Sequence, residues 1–405
     1  MNQEQPSGTD ALPAGAPSAA GAPAAPKAAQ PGKFAVPRAI SEVASELGRN
    51  FGLPSLYLVA TCLADLSGAI GNSLRLRCRL WPRPLNAALQ WLFVDRTQGG
   101  LASAIDFLTQ DLAELQEERL RVLNVVVRKK LGEQIQWNLN KTGFGYNLET
   151  GACDRNSPEL ARLQLRLRPL QLMRDPPPGQ LADAVARSGD QGLLALYSPL
   201  GVHRLCAAPA GKFADDLLAL EQGWEGQTLI TLSRNESDDL RLLEPAVSCL
   251  LVCGEAELSR LLETEPLSHA ILGRMMPMGV AELSGSARTS GFSLESLRAW
   301  RELIQRANYI RESGYRDLLP LAPEAEASLM EYRSECQNGR LPSEEKFLGR
   351  FGPVVAAKLS LGYQLALSPR PVVVSVQAMD YAIQLTRVLL REGTDSISIF
   401  PGFGC

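Results

Sequence analysis

The sequence predicts an α/β core with a partly parallel sheet, followed by an all-helical C-terminal part. Three observations carry this. Between residues 72 and 265 short apolar runs alternate with segments of helical spacing, the order of strands and crossover helices. Some of those runs, such as "WLFV" at 91–94 and "GLLALY" at 192–197, are apolar throughout, as strands buried on both faces are. From Leu294 to Arg391 only the three-to-four spacing of helices remains.

Taken in order, residues 1–33 are an Ala/Pro/Gly-rich stretch that reads as a disordered tail. Residues 34–71 hold two helices. In the first, Ile40, Val43, Ala44 and Leu47 share a face and Gly48 and Gly52 punctuate the end. The second, from Ser55, is apolar around most of its circumference. The core is expected over 72–290. It opens on "SLRLRCRLWPRP", a strand whose leucines alternate with Arg75, Arg77 and Arg79. "LNAALQWLFV" (85–94) reads as the next strand, and Asp106 to about Trp137 as one long amphipathic helix. A polar loop is expected over 138–158. "LARLQLRLRPLQLM" alternates again, with Arg166 and Arg168 opposite Leu163, Leu165 and Leu167. A helix behind "PPPG", the strand at 192–197, the helix "FADDLLALEQGW" and the strand–helix run "AVSCLLVCGEAELSRLLE" complete the core. Residues 291–395 read as a helical domain and 396–405 as a tail.

Composition narrows the function classes. The 405 residues are 45% hydrophobic and 21% charged with a net charge of −3, so any affinity for nucleic acid must come from a local patch. Arg75, Arg77, Arg79, Arg166 and Arg168 are the candidates, a solvated outer strand face being the plain alternative. Eight cysteines without a CxxC pair read as buried thiols of a reducing cytoplasm, and with two histidines no metal site is expected. No apolar run of about 18 residues occurs, which speaks against a membrane span. A triad assembled from Ser198 or Ser290 with His203 or His269 would rest on no recognisable motif, so no catalytic residue is assigned.

"WLFVDRTQGGLASAIDFL" (91–108) has the strand–turn–helix outline of a phosphate-binding loop. A working loop has the pattern G-x-x-x-x-G-K-[ST], in which backbone amides wrap the phosphates, the lysine neutralises them and the hydroxyl holds magnesium. With Gly100 as the last glycine, Asp95 takes the place of the first, Leu101 that of the lysine and Ala102 that of the hydroxyl. Gly99, Thr97 and Ser103 lie within the stretch, but neither hydroxyl is in register. The second strand end, Tyr197–Ser198, offers no acid for magnesium.

"FGLPSLYLVATCLADLSGAIGNSLRLRCRLWPRPLNAALQWLFV", "LRPLQLMRDPPPGQLADAVARSGDQGLLALYSPLG", "FADDLLALEQGWEG", "LEPAVSCLLVCGEAELSRLL", "GRMMPMG" and "EAEASLMEYR" together resemble the blocks of the bacterial and phage domain-of-unknown-function family 3987, over about Phe34 to Arg391. The resemblance implies a RecA-like P-loop NTPase-type core and a helical domain, in genes that accompany primases or mobile elements. It puts the phosphate loop on Asp95–Ser103, the acidic strand end on Tyr197–Ser198 and an arginine sensor near Arg274. This chain departs from the pattern at the loop and at the strand end. The expectation is therefore a catalytically degenerate P-loop NTPase-like protein with no cofactor, acting through a protein partner, a second copy of itself or, more weakly, nucleic acid. The alternatives are an ATP- and magnesium-dependent replication motor with an atypical site, or a DNA-binding accessory factor.

Overall fold

Strands that are apolar on both faces need a covering layer above and below, and this chain supplies both from its helices. The computed structural model describes residues 36–97, 99–122, 125–126, 129, 170–188, 192–227, 229–231, 240–242, 244–263, 275–281, 291–314, 316–338 and 351–397. Helices α1 (Arg38–Phe51) and α2 (Ser55–Ile70) lead into β1 (Leu74–Arg77) and β2 (Leu85–Asn86). Next come β3 (Gln90–Asp95), α3 (Gly100–Leu108) and a further helical run over 110–122. β4 (Leu172–Arg174), α4 (Leu181–Arg187), β5 (Gly192–Tyr197), α5 (Pro199–Cys206) and α6 (Ala210–Glu225) follow. After the antiparallel pair β6 (Leu229–Thr231) and β7 (Leu240–Leu242) stand β8 (Ala246–Cys253), α7 (Glu255–Glu263) and β9 (Met276–Val280). The chain then forms α8 (Leu294–Glu312), β10 (Asp317–Pro320), α9 (Pro323–Gln337), α10 (Gly352–Leu367) and α11 (Val376–Ile397).

Five strands in the order β4-β5-β8-β3-β9 form an all-parallel sheet. Alternation along each strand divides its side chains between two layers. Leu193, Ala195 and Tyr197 of β5, Val247, Cys249 and Leu251 of β8, and Leu92 and Val94 of β3 share a buried cluster with residues of α4 to α7. The opposite face meets α2: the indole of Trp91 donates to the Ala60 carbonyl at 3.0 Å, and the Ser67 and Ser248 hydroxyls lie 2.6 Å apart. A β-carbon on Gly68 would stand 2.6 Å from that of Leu194, so only glycine lets α2 lie this close to β5. The all-round apolar character of α2 follows from its position, with 14 of its residues buried between the sheet and other helices.

Three expectations are corrected. The stretch 85–94 is not one strand: Leu85–Asn86 pairs with β1 in a small sheet of order β10-β1-β2, and the chain enters the large sheet only at Gln90. The C-terminal part is mostly but not wholly helical, because β10 pairs in parallel with β1. Pro320 and Pro323 explain this, since proline lacks the amide a helix interior needs and pushes the residue before it into extended backbone. The single helix expected from Asp106 is split at Thr109 between the end of α3 and the helical run from Gln110, and it is described in part beyond Val122. The tail at 1–33, the loop at 138–158 and the alternating run at 163–168 lie outside the described residues.

Two buried cations tie the C-terminal helices to the core. Arg311 of α8 donates to the carbonyls of Gly68 at 2.9 Å and Gly192 at 2.6 Å. Lys358 of α10 donates to Asn86 Oδ1 at 2.6 Å and to the Trp224 carbonyl at 2.5 Å, and lies over the Trp224 ring. Gly68 and Trp224 sit in the last turns of α2 and α6, where carbonyls lack helical partners and the helix dipole favours a cation. Replacing Lys358 with Met should cost about 2–5 kcal/mol in urea unfolding, because these acceptors would stay buried without donors. Burial also pulls the Lys358 ammonium down from 10.5 to about 7, against the opposing pull of Glu225. The folded protein thus gives up this proton before the unfolded chain does. Below about 7 both states hold it, so the stability of wild type relative to Lys358→Met should be flat there and rise from about pH 7 towards 10.5.

Candidate functional site

In a parallel sheet, ligands bind beyond the carboxyl ends of the strands, where neighbouring connections leave in opposite directions. Here the chain leaves β3 towards β4 at one edge and leaves β8 towards β9 at the other, so the crevice falls between β3 and β8. The loop from Asp95 to Gly100 opens there.

Its polar groups bond to one another. The Asp95 carboxylate accepts from the Thr97 amide at 2.8 Å, and the Thr97 hydroxyl accepts from the Leu101 amide at 3.2 Å. Ser103 turns its hydroxyl back onto the Gly99 carbonyl at 3.0 Å. Gly99, at φ 86°, supplies the left-handed turn that starts α3. The end of α1 packs on Gly100, where an added β-carbon would stand 3.0 Å from the Phe51 carbonyl. Leu101, which the sequence sets against a phosphate loop's lysine, is fully buried. A phosphate needs free amides and a cation at a helix start. This loop spends two of its amides on its own side chains and puts a leucine where the cation would stand.

The second strand end lies two strand spacings away, about 10 Å. Tyr197 is buried in the core; burial pushes its phenol up, and its hydroxyl has no hydrogen-bond partner among the described residues. Ser198 caps α5, accepting from the Gly201 amide at 3.2 Å. An acid does stand here, one that sequence reasoning missed. Asp175, just past β4, accepts from the Ser198 amide and hydroxyl, both at 2.7 Å. It holds φ 43°, unusual for a residue other than glycine, and a β-carbon on Gly201 would fall 2.1 Å from its Oδ1. The signal in the sequence is slight: an acid after an apolar strand, directly before three prolines.

The rim of the crevice is also paired. Arg96 bridges to Glu255 at 2.8 Å, and the Glu257 carboxylate accepts from the Gly254 amide at 3.1 Å. Arg260 and His203 contact each other at 2.6 Å. Burial pushes the Cys253 thiol up to about 12 and those of Cys249 and Cys206 up as well, so none is a ready thiolate. No group of three or more His, Cys, Asp or Glu suited to a metal occurs among the described residues. Arg75 pairs with Glu244, whereas Arg77 at the end of β1 and Arg79 in the turn after it are exposed. Arg166, Arg168 and Arg274 lie outside the described residues.

Fold and site together define a mixed α/β protein with a five-stranded parallel sheet and a self-bonded loop at its switch point. No protein-family model matches the chain, and no curated protein matches its sequence. No helix among the described residues is long and apolar enough to cross a membrane.

Asp175→Ala should lower stability by about 1–3 kcal/mol, because the start of α5 loses an acceptor and a favourable charge. Urea unfolding of the variant beside wild type measures this.

Proposed function

We propose that this protein is a RecA-like P-loop protein that has kept the architecture of a nucleotide-binding core and works as a binding or scaffold component without turning over ATP. One observation carries the reading: the loop that follows the first strand of the parallel sheet is closed by Asp95 and Thr97 on its own amides. Numbered by their appearance in the chain, the five strands run second, third, fourth, first, fifth across the sheet. That order sets the first strand at the switch point, where a phosphate loop is useful. Asp95 adds a negative charge to the turn and Leu101 stands where the pattern has its lysine, and both oppose triphosphate binding. Resemblance to family 3987 adds a setting in DNA replication or mobile elements.

Titration calorimetry with ATP in excess magnesium tests the reading. The expected result is no heat of binding up to about millimolar nucleotide, where the binding free energy is only about −4 kcal/mol. Saturable binding, or ATP hydrolysis abolished by changes within Gly99–Ser103, would overturn it and restore the motor.

A further inference from the structure

Residues 74–84, "LRLRCRLWPRP", hold four arginines and no acid in a chain whose net charge is −3. The fold turns this run into a surface. Leu76 of β1 pairs with Leu319 of β10, both buried, which leaves Arg75 with Leu318 and Arg77 with Pro320 on the outward side. Glu244 neutralises Arg75. The strand ends at Arg77 and the chain turns through 78–84, where Arg79 and Arg83, like Arg77, are exposed with no ion-pair partner among the described residues. Half-buried Trp81 sits in the turn among them, and Leu318 is 43% exposed beside the strand.

We infer that this outward face, built by Arg77, Arg79, Trp81, Arg83 and Leu318, binds single-stranded nucleic acid. Guanidinium forks match phosphate oxygens in pairs, and three of them follow one another here over seven residues. An indole and an apolar side chain among those cations form a platform on which an unpaired base can stack. A duplex keeps its bases stacked on one another, so it would use the arginines alone. The surface is separate from the α3 loop, and its test stands whether or not nucleotide binds there.

The experiment is fluorescence anisotropy of a labelled thymidine oligonucleotide, longer than a site of about 16 nucleotides, titrated with the full chain over a series of salt concentrations. Wild type should bind with an affinity that falls linearly in log–log form as salt rises. The double variant Arg77→Ala/Arg79→Ala should bind at least about tenfold more weakly at low salt, with a slope smaller by about 1.4, or about 0.7 for each phosphate no longer neutralised. Trp81→Ala should weaken binding about tenfold and leave the slope unchanged. All the arginines changed are exposed, and unchanged melting confirms that the fold is kept. The inference is overturned by any of three results: no binding by wild type at low salt, an unchanged affinity and slope in the double variant, or tighter binding to a duplex of equal length. It is equally overturned if the arginines prove necessary for sedimentation with phosphatidylserine vesicles but not for oligonucleotide binding.

Discussion

Buried helix ends are the constraint around which this molecule is arranged. α2 and α6 both finish inside the protein, where their last carbonyls cannot reach water. Gly68 in α2 is served by Arg311; in α6, Trp224 is served by Lys358 and Gly223 by the Asn86 amide at 2.8 Å. Both cations come from the C-terminal helices. Those helices therefore complete the hydrogen bonding of the core, and the protein cannot shed them without stranding acceptors that each cost about 1–3 kcal/mol when left unpaired. Asn86 is the hinge of this arrangement. It closes β2, bonds to α6 and to the carbonyl before β8 at 2.9 Å, and receives Lys358.

The same economy governs the crevice. Asp95, which ends β3, bonds to the Thr97 amide of its own turn, whereas Asp175, just past β4, bonds across to the Ser198 amide at the end of β5, and the Thr97 and Ser198 hydroxyls accept from the first amides of α3 and α5. Polar groups that could have received a ligand hold the strand-to-helix turns in shape. Local order of this kind suits a surface that presents a fixed outline to a partner, since it removes the cost of ordering loops on binding.

Much of the core was legible in the sequence because burial on two faces leaves a plain mark. β5 and β8 are apolar at nearly every position, and a strand can be so only when both faces are covered. Gly99 and Gly100 marked the turn that starts α3. The single strand expected over 85–94 failed at Ala87–Leu89, where the chain changes sheets while staying apolar, so hydropathy carries no sign of the break. β10 is four residues long, too short for periodicity to register against the helices on either side.

By itself, the sequence determined the alternation of strands and helices, the absence of a lysine from Asp95 to Ser103, and the reversal of charge in residues 74–84, since each depends on residue type and neighbours along the chain. Only the tertiary structure decided the strand order, which places that loop at the switch point, and the partnership of Asp175 with Ser198, 23 residues apart. It likewise decided that Arg75 is spent on Glu244, 169 residues away, while Arg77 and Arg79 are not. Hydrogen bonds and ion pairs act over a few ångströms in space, and no pattern along the chain reports which distant segments folding will bring within that range.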